Sequence, residues 1–141
     1  MTSGIKPDTG PWNLLAAELG RLTDHYRRMP HAKFRQRLDP YGDRASAGAW
    51  LANQLAAVAQ GAEEHGRVTP PVWRRVPSLG DFALGDQIAV TGGDVLAAFD
   101  ALGTLDDPAA VQVWTLRDGR MDADKALAAV LASTTALREA L

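Results

Sequence analysis

The sequence predicts an all-α protein, a bundle of four main amphipathic helices at about 11–29, 44–65, 82–102 and 122–140. In each segment apolar side chains recur every three or four residues, which places them on one face of a helix. The chain has 141 residues, of which 46% are hydrophobic and none is cysteine. A chain of this size can bury a core without a disulfide or a metal. Four helices with one apolar face each bury those faces by packing together.

The first helix is predicted to begin at Asp8-Thr9-Gly10-Pro11, because proline suits the first helical position. Pro30 should end it. Between these points one apolar stripe recurs at steps of three and four: Trp12, Leu15, Leu19, Leu22, Tyr26 and Met29. A short helix or turn over 31–38 and the turn Asp39-Pro40-Tyr41-Gly42 are predicted to follow.

The second helix is predicted to begin after Asp43, whose side chain suits the N-cap position. Gly66 lies where a left-handed C-cap residue is expected. The buried stripe is rich in alanine, which permits close approach of a neighbouring helix: Ala47, Leu51, Leu55, Val58 and Ala62.

Residues 67–79 are predicted to form an extended connector, because each of their three prolines removes a backbone donor and fixes φ. The connector is more apolar than a flexible domain linker. We expect three of its side chains to lie on the bundle: Val72, Trp73 and Val76.

Two interpretations remain open for 82–102. The apolar positions fit one helix, although Gly92-Gly93 should weaken it by about 1 kcal/mol per glycine. The alternative is an α+β fold with a short strand near 87–90 and another at 111–116, where β-branched residues alternate before the Asp118-Gly119 turn. The last helix is predicted to follow Asp122 as its N-cap.

Residues 1–8 are predicted to form a disordered tail, and residues 9–141 a single domain. No internal repeat is recognised in the sequence. No stretch approaches the length of apolar residues that a membrane span requires, so no membrane association is expected. The absence of cysteine favours the cytoplasm, and the abundance of residues with GC-rich codons favours a bacterial source.

Charge is unevenly distributed although the net charge is only −2. Residues 1–75 contain 11 basic and 7 acidic side chains, whereas residues 76–141 contain 4 and 10. Such asymmetry can steer a partner or align two copies head to tail.

Six cations stand out between residues 21 and 37 as a possible partner-binding or polyanion-binding surface: Arg21, Arg27, Arg28, Lys33, Arg35 and Arg37. Three aromatic residues are interleaved with or directly follow them, namely Tyr26, Phe34 and Tyr41, as on surfaces that stack nucleic-acid bases. Arginine and aromatic residues are also enriched at protein interfaces. A pI of about 5.9 argues against a dedicated nucleic-acid binder.

Three carboxylates, Asp81, Asp86 and Asp94, mark a second candidate site. On one helix Asp86 and Asp94 lie two turns apart on a shared face. An inward orientation would allow a polar pocket for acid–base chemistry or for a cationic ligand.

Motifs for other chemistry are missing from the sequence. No serine lies in a nucleophile elbow, and the three histidines lack the spacing of a helical zinc pair. The glycines of Thr91-Gly92-Gly93-Asp94 lack the lysine and hydroxyl of a phosphate-binding loop. We therefore expect no catalytic residue, metal or cofactor.

The leading hypothesis is a non-catalytic interaction or regulatory protein that binds a protein partner or a second copy of itself. Nucleic-acid binding through 21–44 is one alternative. A small-ligand site or an enzyme active site near 81–94 is the other.

Overall fold

The computed structural model describes residues 10–141 and confirms the mostly helical bundle. The four main helices are α1 (Pro11–Arg27), α2 (Arg44–Glu63), α3 (Leu84–Leu102) and α4 (Ala123–Ala140). The predicted tail at 1–8 lies outside the described residues. No helix among residues 10–141 is long and apolar enough to cross a membrane.

Two small antiparallel hairpins accompany the helices. In the first, β1 (Arg37–Leu38) pairs with β2 (Gly42–Asp43). In the second, β3 (Gln112–Thr115) pairs with β4 (Gly119–Asp122), with Val113 opposite Met121. Each hairpin turn ends at a glycine with positive φ, 103° at Gly42 and 67° at Gly119, a conformation that glycine adopts at little cost. The predicted strand at 111–116 therefore exists.

The order helix, 3₁₀ turn, hairpin, helix occurs twice, over residues 11–63 and 84–140. Residues 64–80, which include the predicted connector 67–79, and the 3₁₀ turn Asp81–Ala83 join these two halves. Helix α1 packs against α3 and α4, and α2 also packs against α3 and α4, so the extensive helix contacts run between the halves. This repeated order of elements was not recognised in the sequence.

Helix α3 is continuous across its glycines, so the alternative of a strand near 87–90 is wrong. Ile88 and Val95 are fully buried on one helical stripe, which requires the 3.6-residue period. Gly92 lies against Leu19 of α1, where an added Cβ would come within 3.0 Å of the Leu19 side chain. The close approach of the two helices gives this glycine a packing role.

Helix α2 also approaches the second hairpin closely. A Cβ on Gly61 would lie 1.9 Å from the carbonyl oxygen of Trp114. Only glycine permits this separation, and it brings β3 directly onto the surface of α2.

The predicted helix ends are partly correct. Asp43 caps α2, since its Oδ1 accepts a bond of 2.7 Å from the backbone N–H of Ser46. Asp122 precedes α4 but makes no side-chain cap bond, because its carboxylate accepts instead from Gln112 of the neighbouring strand. The prediction of a left-handed cap at Gly66 is wrong: α2 ends earlier, at Glu63, and Gly66 does not have a positive φ.

Candidate functional site

Four of the six cations of the basic stretch are held by carboxylates. Arg21 pairs with Glu18 (2.6 Å) and Arg37 with Asp39 (3.1 Å). Longer-range ion pairs link Arg27 to Asp86 (2.8 Å) and Arg35 to both Asp43 and Asp81. Within residues 10–141, Arg28 and Lys33 are the members of the set that make no ion pair. The positive charge predicted for this surface is therefore largely neutralised.

The aromatic residues of the basic stretch serve the core. Tyr26 and Phe34 are buried, and Tyr41 packs against Trp50 with ring centroids 5.2 Å apart. Burial raises the pKa of Tyr26, opposed by the charge of Arg44. The Tyr26 hydroxyl donates to the Arg44 carbonyl at 2.6 Å. These rings are not arranged as an open platform for bases.

The three carboxylates do not converge on one pocket. Asp81 is bonded to Arg35 and Asp86 to Arg27, so both tie the start of α3 to the first half. Asp94 is exposed and makes no ion pair with any residue from 10 to 141. Asp86 and Asp94 do line a common groove, as their spacing on one helix predicts.

Side-chain amides hold the connector against the bundle. The buried Gln60 side chain donates to the Val72 carbonyl (2.8 Å) and accepts from the Arg74 N–H (2.9 Å). Asn53 accepts from the Val76 N–H at 3.0 Å, and Gln87 donates to the Pro77 carbonyl at 2.7 Å. The chain thus binds its own extended segment through backbone groups, as proteins bind extended peptides.

The connector's apolar side chains are only partly buried. Val76 is half-buried and packs on the core, in agreement with the prediction. Trp73 is half-buried. Val72 is 85% exposed, so its predicted packing on the bundle is wrong. The Val72 carbonyl instead accepts a hydrogen bond from Gln60. In an extended chain successive side chains point to opposite sides, so the backbone of the connector can be bound while the Val72 side chain points to solvent.

A groove of about 550 Å³ lies between α2, the connector and α3. Small or apolar side chains make much of its lining, including Ala56, Ala59, Val76, Pro77 and Ala83. This volume is within the range of protein ligand sites.

Two exposed large apolar side chains, Leu79 and Val90, line this groove. Eight large apolar side chains are exposed in the described part of the chain, and four of them fall between residues 72 and 90. Leu79 and Val90 are each 65% exposed and line the groove, while Phe82, 75% exposed, stacks on His31 at 5.5 Å. Large exposed apolar side chains in one region are typical of interaction surfaces.

Unpaired charges flank the apolar lining. Arg75 lies on the connector side and Asp94 on the α3 side, and neither makes an ion pair within residues 10–141. Arg74 and Asp86 also line the groove but are held by Glu64 and Arg27 respectively.

A separate cleft of about 260 Å³ lies between α2, α4 and the second hairpin. Its walls are largely apolar and include Trp50, Val58, Val113, Met121 and Val130. The half-buried side chains of Gln54 and Ser133 also line it. Periodicity did not predict the cleft, since its lining joins two helices and a hairpin that are distant in sequence.

The described residues contain no Ser–His pair for nucleophilic catalysis and no group of side chains placed to bind a metal ion. No serine hydroxyl within 10–141 is hydrogen-bonded to a histidine, and no group of three histidine or acidic residues there is placed to hold a metal ion. Burial, together with the charge of Arg44, lowers the pKa of His25. The hydrogen bonds from Ser46 lower the pKa of Asp43, as expected for a helix cap.

Comparisons of this chain with protein-family models, with curated proteins and with solved structures find no match.

Proposed function

We propose that the protein is a non-catalytic interaction module that binds an amphipathic helix of a partner protein in the groove between α2, the connector and α3. One observation carries the proposal. The groove presents Leu79 and Val90 to solvent and has an unpaired Arg75 on one side and an unpaired Asp94 on the other.

The chemistry of the partner follows from this arrangement. An amphipathic helix lays a stripe of apolar side chains into such a groove at i, i+3, i+4 and i+7. Anionic side chains along one flank of the stripe would face Arg75, and cationic side chains along the other would face Asp94. Rim charges of this kind select the orientation of the partner more than they add affinity.

The basic stretch supports a different role from polyanion binding. Its arginines fasten the first half to the start of α3 through Arg27 and Arg35. Nucleic-acid binding through 21–44 therefore has less support than protein binding. A cytoplasmic location and a bacterial source are part of the same proposal and are supported by composition alone.

Selection from a phage-displayed library of helical peptides tests the proposal. Peptides enriched on the protein should carry an apolar stripe with acidic residues along one flank and basic residues along the other. Val90→Glu should abolish their binding, since it places a charge on the apolar lining. Ala132→Glu is the matched control, because Ala132 is exposed on α4 and lines neither cavity.

A charge exchange makes the test directional. The double variant Arg75→Glu/Asp94→Lys should select peptides whose flanking charges are exchanged. Enrichment of no peptide over the Val90→Glu background would contradict the proposal. A dimer in light scattering that Val90→Glu converts to a monomer would assign the groove to a second copy, the alternative occupant that the sequence suggested.

A further inference from the structure

We propose that the cleft between α2, α4 and the second hairpin is a second binding site, for a small neutral aromatic molecule of one or two fused rings that carries one hydrogen-bonding group. The site lies apart from the docking groove and shares no lining residue with it.

The size of the cleft limits the ligand. An engineered apolar cavity of about 150 Å³ in another protein binds benzene. The cleft, at about 260 Å³, has room for a molecule larger than benzene, such as a fused two-ring system, but not for a much larger one. Bundles commonly place small-molecule sites between facing helices.

The walls favour a flat apolar ligand. Trp50 offers an aromatic surface and Met121 a thioether, which makes favourable contacts with aromatic rings. Val58, Val113 and Val130 complete an aliphatic lining with stiff side chains. Trp50 is itself positioned by Tyr41, so its surface is preformed.

Two polar groups would orient the ligand. Neither the Gln54 amide nor the Ser133 hydroxyl makes a hydrogen bond to another residue of the described chain, although both side chains are half-buried in the lining. Each can donate and accept. They therefore suit an uncharged N–H or O–H group on the ligand.

The charges of the cleft lining agree with a neutral ligand. The hairpin turn contributes Arg117 and Asp118, whose formal charges cancel. Within the lining itself no charged side chain comes from α2 or α4. An ionic ligand would find no net opposite charge there.

A titration with indole, followed by ¹⁵N–¹H correlation spectra of the full chain, tests the proposal. Saturable shifts are expected at the Trp50 indole N–H, the Gln54 side-chain amide and backbone amides of 113–121 and 126–133. Ala129→Leu should weaken binding by about tenfold or more, because Ala129 lines the cleft. Ala128→Leu is the matched control, since Ala128 is the neighbouring alanine, is exposed as Ala129 is, and lines no part of the cleft.

A second probe tests the polar contact. 1-Methylindole lacks the N–H donor and should bind about fivefold more weakly than indole, as expected for one neutral hydrogen bond. Gln54→Leu should reduce that difference. Indole shifts that do not saturate, that map to the α2–α3 groove, or that respond equally to Ala128→Leu and Ala129→Leu would overturn the proposal. Equal melting temperatures for the two leucine variants would show that the comparison reports binding rather than folding.

Discussion

Replacing Gly61 by alanine should lower the free energy of unfolding by about 2–3 kcal/mol, because α2 meets the backbone of β3 at this residue. A Cβ at Gly61 would lie 1.9 Å from the Trp114 carbonyl oxygen, whereas real Cβ atoms essentially never come within 3.0 Å of such an atom. The helix and the hairpin would have to separate by more than 1.1 Å, the difference between these two distances.

The magnitude follows from two opposing effects. Inserting a methyl group into a packed region typically costs about 1–3 kcal/mol. Here the cost should reach or exceed the upper end of that range, because the obstacle is the backbone of a paired strand and not a flexible side chain. Alanine recovers about 1 kcal/mol of helix propensity relative to glycine.

Urea unfolding monitored by far-ultraviolet circular dichroism measures this effect. Gly20→Ala is the matched control: Gly20 is exposed within α1, and a Cβ there would meet no atom within 4 Å. The same substitution should raise stability at Gly20 by up to about 1 kcal/mol and lower it at Gly61. A Gly61→Ala protein as stable as the wild type would refute the close packing of α2 against β3.

Three further predictions concern single side chains. Gln60→Ala should cost about 2 kcal/mol in urea unfolding, because two backbone groups of the connector lose their partner; Gln54→Ala, which breaks no hydrogen bond within residues 10–141, should cost less. The lowered pKa of His25 means that the unfolded chain binds more protons, so stability should fall as pH drops through about 6.5; a His25→Gln protein that keeps this part of the pH dependence would exclude His25 as its source. The lowered pKa of Asp43 means that its stabilisation is present above about pH 4 and is lost as pH falls through its folded pKa; Asp43→Ala should therefore cost about 1 kcal/mol at pH 7 and progressively less as pH falls below about 4, and a cost that stays constant with pH would contradict the capping role.

The helices were predictable because each buries one stripe that recurs with the helical period. The predicted and observed ends agree within two residues for all four, as at Asp43 and Pro11, where capping chemistry is local. Gly92 could not be interpreted from the sequence alone, since its role depends on Leu19, a side chain 73 positions away.

The candidate sites were less predictable than the helices, because ion pairs between residues distant in sequence determine which charged side chains are free to bind a partner. Two arginines of the basic stretch, Arg35 and Arg27, pair with Asp81 and Asp86, which the sequence analysis assigned to a separate site. The two predicted sites are therefore joined by two ion pairs, Arg27 with Asp86 and Arg35 with Asp81. The groove and the cleft depend on which elements become neighbours, and local periodicity does not encode that.

The two halves of the chain share one set of helix–helix contacts instead of each packing separately. Helices α1 and α2 make most of their interhelical contacts with α3 and α4 of the other half. Neither half therefore encloses a hydrophobic core of its own. Cleavage of one peptide bond within 64–80 should therefore yield two fragments that lack stable tertiary structure when separate and reassemble when mixed. Shortening the same segment until it cannot span the molecule should lead each half to complete itself with the complementary half of a neighbour, giving a domain-swapped pair.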